Sequence, residues 1–149
     1  MINVRVMNSK EVKYMQKFMK DQFGTHLNGV FYRGSKDRVY LGTNETIKVN
    51  LRSFNAEGVG VYIGRLTDQG FRPSIEGAQL LRPKKNVFEL TEAQLKDWLM
   101  GYTIELDTDY NGYCALSYKG EVVGPGKIAN NKVWNYVPKE RRIKKLIKP

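Results

Sequence analysis

Histidine and cysteine are almost absent: His26 and Cys114 are the single representatives of each among 149 residues. A lone cysteine excludes an internal disulfide and suits a reducing compartment. One histidine with one cysteine cannot furnish a zinc centre of the usual Cys/His type, so no metal site is expected. The same scarcity leaves little for catalysis, because a Ser-His-Asp set would have to be built around His26 alone. Cys114 lies in "YCALSY", an expected strand, where a cysteine is more often a small buried hydrophobe than a nucleophile. Glu105 and Asp107 alternate along another expected strand without an evident pocket. No catalytic residue and no cofactor is therefore assigned, and an enzyme is not expected. Long apolar runs are missing too: nothing approaches the roughly 18 residues that mark a membrane-spanning helix. The opening, "MINVRVMNSKEVKYMQ", has polar residues where a secretion signal needs an apolar stretch, so no leader and a cytoplasmic location are expected. Internal repeats and low-complexity segments are also lacking.

Hydrophobic residues make up 41% of the chain, which is enough for a real core. The length suits one compact domain or two very small ones packed together. The net charge is +10, and its distribution says more than its size. Residues 119–149 hold nine Lys/Arg against two acids, whereas residues 1–118 hold sixteen against thirteen. A localised positive field attracts polyanions, nucleic acid first and acidic membrane second. A basic tail kept for solubility is the plainer alternative.

The segment "NSKEVKYMQKFMKDQFG" reads as a helix. Asn8 or Ser9 can cap it, Val12, Met15, Phe18, Met19 and Phe23 recur on one side, and Gly24 ends it. "VFYR" and "RVYL" read as a hairpin around "GSKD". "NETIKVNLRSF" offers a weak short helix. "GVGVYIGRLT" is a strand whose glycines suggest a bulge or close backbone contact. "FRPSIEGAQLL" gives an extended piece followed by a helical turn. "RPKKN" at 82–86 has no apolar periodicity and reads as a junction between two subdomains. Beyond it come a strand "NVFEL", a short helix "TEAQLKDWLMG" capped by Thr91, and several short strands with glycine turns. That rhythm suggests a small barrel.

Three motifs have site-like chemistry. "DTDYNG", Asp107–Gly112, opens like an EF-hand loop, but the last ligand position holds Tyr118 instead of Glu, so a β-turn is the better reading. "GEVVGPGKI" echoes a phosphate loop. Its first position is Glu121 and the residue after Lys127 is Ile128, so the glycines more readily let one strand pass close to another. The C-terminal segment combines cations with Trp134 and Tyr136, as a nucleic-acid surface does. Here Val133, Trp134 and Val137 are expected in the core, with the lysines and arginines outside.

The tail "VVGPGKIANNKVWNYVPKERRI" resembles the closing segment of the PUA-like RNA-binding domain of Sun-family RNA cytosine-5 methyltransferases. The matching residues are Gly124, Gly126, Lys127, Asn135, Tyr136, Pro138, Lys139, Arg141 and Arg142. The order of the N-terminal helix, "DRVYL", "IGRLTDQGFRPSIEGAQLL" and "NVFELTEAQLKDWLMGYTIEL" is similar to the Nip-seven ribosome-assembly factors, which place a pre-PUA domain before a PUA domain. Those factors lack the Pro-Lys-Glu-Arg-Arg tail. Cys114 is not preceded by the proline of the methyltransferase nucleophile step, so the chain looks like a free-standing version of the methyltransferase's RNA-reading end.

The resemblance implies an α+β fold: a small helix-and-sheet pre-PUA domain over 1–82, packed on a PUA-like β-barrel over 83–149. It implies non-catalytic RNA binding, to structured tRNA or rRNA, in RNA modification or ribosome assembly. The alternative is a protein-interaction subunit of an RNA methyltransferase or ribosome-assembly complex. The expected RNA-contacting residues are Lys84, Lys85, Gly101, Tyr102, Lys127, Lys139, Arg141, Arg142, Lys144 and Lys145. No membrane partner is expected, because "RRIKKLIK" has too few apolar anchors.

Overall fold

A computed structural model describes residues 4–42 and 60–142. The weak helix expected at 44–54, with Lys144 and Lys145, lies outside the described residues. Two five-stranded sheets carry the fold. The first is an antiparallel meander of β1 (Arg5–Val6), β2 (Phe31–Arg33), β3 (Arg38–Leu41), β4 (Val61–Thr67) and β5 (Gly70–Pro73). The second comprises β6 (Val87–Glu89), β7 (Ile104–Glu105), β8 (Gly112–Tyr118), β9 (Glu121–Ala129) and β10 (Lys132–Asn135), in the order β6-β8-β9-β10-β7. It curls into a half-barrel. The α+β, PUA-like architecture is thus the one observed.

Helix α1 (Ser9–Phe23) follows β1. Of the two caps open to the sequence, Asn8 takes the role: its side chain accepts the Glu11 N–H at 2.9 Å, and Glu11 returns the bond to the Asn8 N–H. Arg5 holds both Glu11 oxygens at 2.7 Å, which ties β1 to the first turn of the helix. These bonds hold the Glu11 carboxyl down at about 2. Gly24 adopts the left-handed cap at φ 75°, a conformation that costs other residues energy. Met15, Met19 and Phe23 are buried, with Val12 and Phe18 partly so, as the helical spacing predicts.

The junction at 82–86 is tied down. The Lys84 and Lys85 amides both donate to the Phe23 carbonyl, and the Asn86 side chain donates to the Gln22 carbonyl. The last carbonyls of α1 therefore find their missing donors in the second half of the chain. Gln22 also uses its side-chain amide as a strand would, exchanging both bonds with the Phe71 backbone on the edge of β5.

Strand β8 is buried on both faces. Tyr113 and Ala115 join the α1 core with Phe31, Ile63 and Phe71. Cys114 and Leu116, pointing the other way, join Trp98, Ile128 and Val133 in the half-barrel. Helix α2 (Ile75–Leu81), capped by Ser74, touches both β4 and β9. Gly77 lets it press on β4, since a Cβ there would fall 1.9 Å from the Ile63 carbonyl oxygen.

Helix α3 (Glu92–Leu99), with a Thr91–Gln94 capping box, links the two edges of the half-barrel and drops Trp98 inside, 2% exposed. The Gly-Pro-Gly step explains itself here. A Cβ on Gly124 would stand 2.6 Å from the Trp98 ring, and one on Gly126 would stand 2.6 Å from Val133. These glycines make room for core side chains, Trp98 from a helix and Val133 from β10, where close passage of strand backbones was expected. The segment from Asp107 to Asn111, expected as a β-turn, is instead a loop with one bend at Asp109, and its Asn111 side chain accepts the Asn130 N–H. Asn130 and Asn131, at φ 53° and 64°, form the tight β9–β10 turn.

Gly124→Ala should lower stability by about 1–3 kcal/mol, because the added methyl meets a rigid ring, whereas Trp98→Phe should cost less than Trp98→Ala. Denaturant titration orders the three. Glu11 has its folded pKa depressed, so its contribution is full above its ordinary value near 4.5 and is lost as pH falls through about 2. Arg5→Ala should flatten the melting temperature across that acid window.

Candidate nucleic-acid interface

The corner where α3 ends is built by Asn135. Its side-chain amide donates to the Trp98 carbonyl at 2.7 Å and to the Tyr102 carbonyl at 3.0 Å, while its Oδ1 accepts the Val137 N–H at 2.7 Å. One side chain thereby fixes the helix end, the following loop and the exit of β10. Tyr102 stands out from this corner, 59% exposed. Gly101, at φ 92°, is approached closely by Arg142: a Cβ would stand 2.5 Å from Arg142 Cδ. Arg142 Nε donates to the Val137 carbonyl at 2.9 Å. Gly101 and Arg142 therefore form one unit, and the backbone at Gly101 lies under a guanidinium.

Trp134 corrects an expectation. It is 52% exposed, not in the core. Alternation decides this: Val133 points inward from β10 and is fully buried, so Trp134 must point out. Trp98 on α3 is the indole that fills the half-barrel. Trp134 pairs directly with Lys127, which pairs in turn with Tyr113. The three form a transverse row across one face of the sheet, open to solvent at Trp134 and buried against the α1 core at Tyr113, with the Lys127 ammonium 5.4 Å from the Tyr113 ring and donating to Gln69 at 2.8 Å.

The remaining expected contacts are spread out. Lys139 is exposed on the short 3-10 turn after β10. Arg141 on the same turn meets Glu76 at 2.6 Å, an exposed pair that contributes little. Lys84 and Lys85 project from the junction at the end of α1. Cys114 is fully buried, and burial pushes its thiol up to about 12. Among the described residues no group of three His, Cys, Asp or Glu could hold a metal.

Sequence reasoning missed another cationic group. Arg38 on β3 lies opposite Arg65 on β4, and Arg65 lies opposite Arg72 on β5. They line a cleft of about 460 Å³ together with Tyr62, Tyr136 and Arg141. Arg72 lies 4.4 Å from the Tyr136 ring centre. The Arg65 Nε–H is shielded from solvent and has no acceptor, a state that costs about 1–3 kcal/mol. One signal was available: the turn at Asp68–Gln69 sets Arg65 against Arg72 by hairpin symmetry. Arg38 needed the β3–β4 register, which no local pattern announces.

A curled sheet whose edges are bridged by a helix is a PUA-like fold. More particularly, it resembles the C-terminal region of Sun-family methyltransferases, and residues 85–143 match the family described as the Methyltransferase RsmF PUA domain. The Ribosomal RNA small subunit methyltransferase F of Aliivibrio fischeri (strain MJ11) is 31% identical over 84 residues, covering 55% of this chain and 18% of that protein. Its namesake from Shewanella oneidensis is 25% identical over 134 residues, covering 88% of this chain and 28% of that protein. That of Shewanella sp. (strain ANA-3) is 26% identical over 144 residues, covering 89% and 30%. The chain thus spans less than a third of the length of these relatives. No helix among the described residues is long and apolar enough to cross a membrane.

Asn135→Ala leaves two partly buried backbone groups, the Trp98 carbonyl and the Val137 N–H, unpaired and should cost about 1–3 kcal/mol in denaturant unfolding. A thiol reagent should modify Cys114 only as fast as the native protein opens, which timed mass spectrometry would follow.

Proposed function

We propose that this chain is a non-catalytic RNA-binding module, acting on ribosomal or transfer RNA in RNA modification or ribosome assembly, in the cytoplasm. The observation that carries the reading is the exposure of two large rings, Trp134, which precedes Asn135 on β10, and Tyr102, whose carbonyl Asn135 holds. Exposed rings are costly in water and useful where unpaired bases can stack. Lys127 beside Trp134, Arg142 over Gly101, and Lys139 and Arg141 beyond them supply cations for phosphates. Lys84 and Lys85 extend the contact from the junction, and Lys144 and Lys145, outside the described residues, belong to the proposal by their charge alone. The relatives' printed name, a ribosomal RNA methyltransferase, favours rRNA and makes a methyltransferase or ribosome-assembly factor the natural protein partner. Domain limits of 1–82 and 83–149 belong to the same proposal, as a pre-PUA unit serving a PUA reader.

Affinity for structured rRNA should fall steeply with salt, each neutralised phosphate adding about 0.7–0.9 to the log–log slope. Trp134→Ala and Tyr102→Ala should each weaken binding by about 1–3 kcal/mol without lowering the melting temperature. Arg141→Ala with Arg142→Ala should reduce both affinity and slope. Filter binding across a salt series reads all of these. A flat response, or RNA binding that survives the arginine changes while a protein complex is lost, would overturn the reading.

A further inference from the structure

Stability explains little of the arginine row on the first sheet: Arg72 lies over the Tyr136 ring, 4.4 Å from its centre, but charge opposes the row as a whole. Like charges placed directly opposite on neighbouring strands repel, and here three stand in line, Arg38, Arg65 and Arg72. The usual remedy is an acidic neighbour. Among the described residues none pairs with any of the three. The cleft has two carboxylates, Glu76 and Glu140. Glu76 is engaged by Arg141 at 2.6 Å, and Glu140 makes no ion pair among the described residues. Four arginines therefore face two acids across one hollow. The shielded Arg65 Nε–H without an acceptor adds an independent sign that a hydrogen-bonding anion belongs there.

We propose that this cleft is a second anion site, which takes a phosphate group. Its volume, about 460 Å³, falls in the range of small-ligand pockets. Guanidinium forks match phosphate oxygens two at a time, and arginine is favoured over lysine for that geometry. The row holds arginine at every position. Tyr62 and Tyr136 give the hollow aromatic walls, so a phosphate attached to a ribose and base fits its chemistry better than a bare ion.

An RNA backbone is the natural source of that phosphate, and this clause rests on the RNA-binding reading. Tyr136 lies two residues beyond the exposed Trp134, a step of about 7 Å along extended chain. A strand stacked on Trp134 would thus reach the cleft by following β10 toward its exit. The site would join the two sheets through one ligand, since Arg38, Arg65 and Arg72 belong to the first and Tyr136 follows the second.

The test uses the full chain labelled with ¹⁵N, observing the arginine Nε–H signals. Because Arg65 Nε–H is shielded, it should exchange slowly enough to be followed. Inorganic pyrophosphate and a short single-stranded RNA are added separately, with chloride at matched ionic strength as control. Both should move the Arg65 signal, and Arg38→Gln and Arg65→Gln should each lower the RNA salt slope by about 0.7–0.9. The melting temperature of Arg38→Gln should hold or rise, because repulsion is relieved. A response to pyrophosphate without one to RNA keeps the phosphate site, assigns it to a free phosphate compound, and removes RNA as its occupant, while the salt series on rim variants decides RNA binding separately. Silence of the Arg65 signal toward both probes overturns the site, even if RNA binds elsewhere on the rim. Should Arg65→Gln fail to fold, the unmodified chain and Arg38→Gln decide the question.

Discussion

Burial of β8 on both faces is the constraint from which the rest of the molecule follows. A strand covered on both sides must be apolar at successive positions, and "YCALS" meets that demand with Tyr113 through Ser117 all buried. The one polar member, Ser117, is satisfied by Glu89, whose carboxylate also accepts the Lys119 and Gly120 amides of the β8–β9 turn. Bonds to the Ser117 hydroxyl and those amides hold the Glu89 carboxyl below its usual range. Because one strand serves two cores, neither sheet can shift without opening the other. The bonds from the junction to the last turn of α1 act in the same direction.

Once β8 is shared, the space on either side dictates which residues must be small. Helix α2 fits between β4 and β9 because Gly77 removes a side chain where the helix meets a strand. Trp98 fits inside the half-barrel because Gly124 leaves room for its ring. The corner that carries Tyr102 is then held by three hydrogen bonds from one amide, Asn135. A rigid rim of that kind suits recognition by shape, since little ordering is needed when a ligand arrives.

Charge follows a different logic from packing. The tail supplies cations that the sequence displays openly, as nine basic residues in its last fifth. The arginine row supplies cations that the sequence hides, because its members are separated along the chain and brought together by strand register. Periodicity made α1, the β2–β3 hairpin, α3 and most strands of the half-barrel legible, since each is governed by neighbours in sequence. Trp134 was misread for the opposite reason. The alternation along "KVWN" was visible, but which of its faces turns inward depends on how the sheet curls. Gly101 showed the same limit: its freedom of backbone was readable, while its cover by Arg142, forty-one positions later, was not.

The amino-acid order by itself determined most of the helices and strands, the cap at Thr91, a choice of two caps for α1, and the resemblance carried by the tail. Those properties arise from local sterics and from patterns repeated within a few residues. Tertiary structure alone decided which face of β10 meets solvent, that one strand would serve two cores, and that three distant arginines would stand in line. Register and curvature are collective properties of paired strands, set by the sum of many contacts, and no single stretch of sequence contains them.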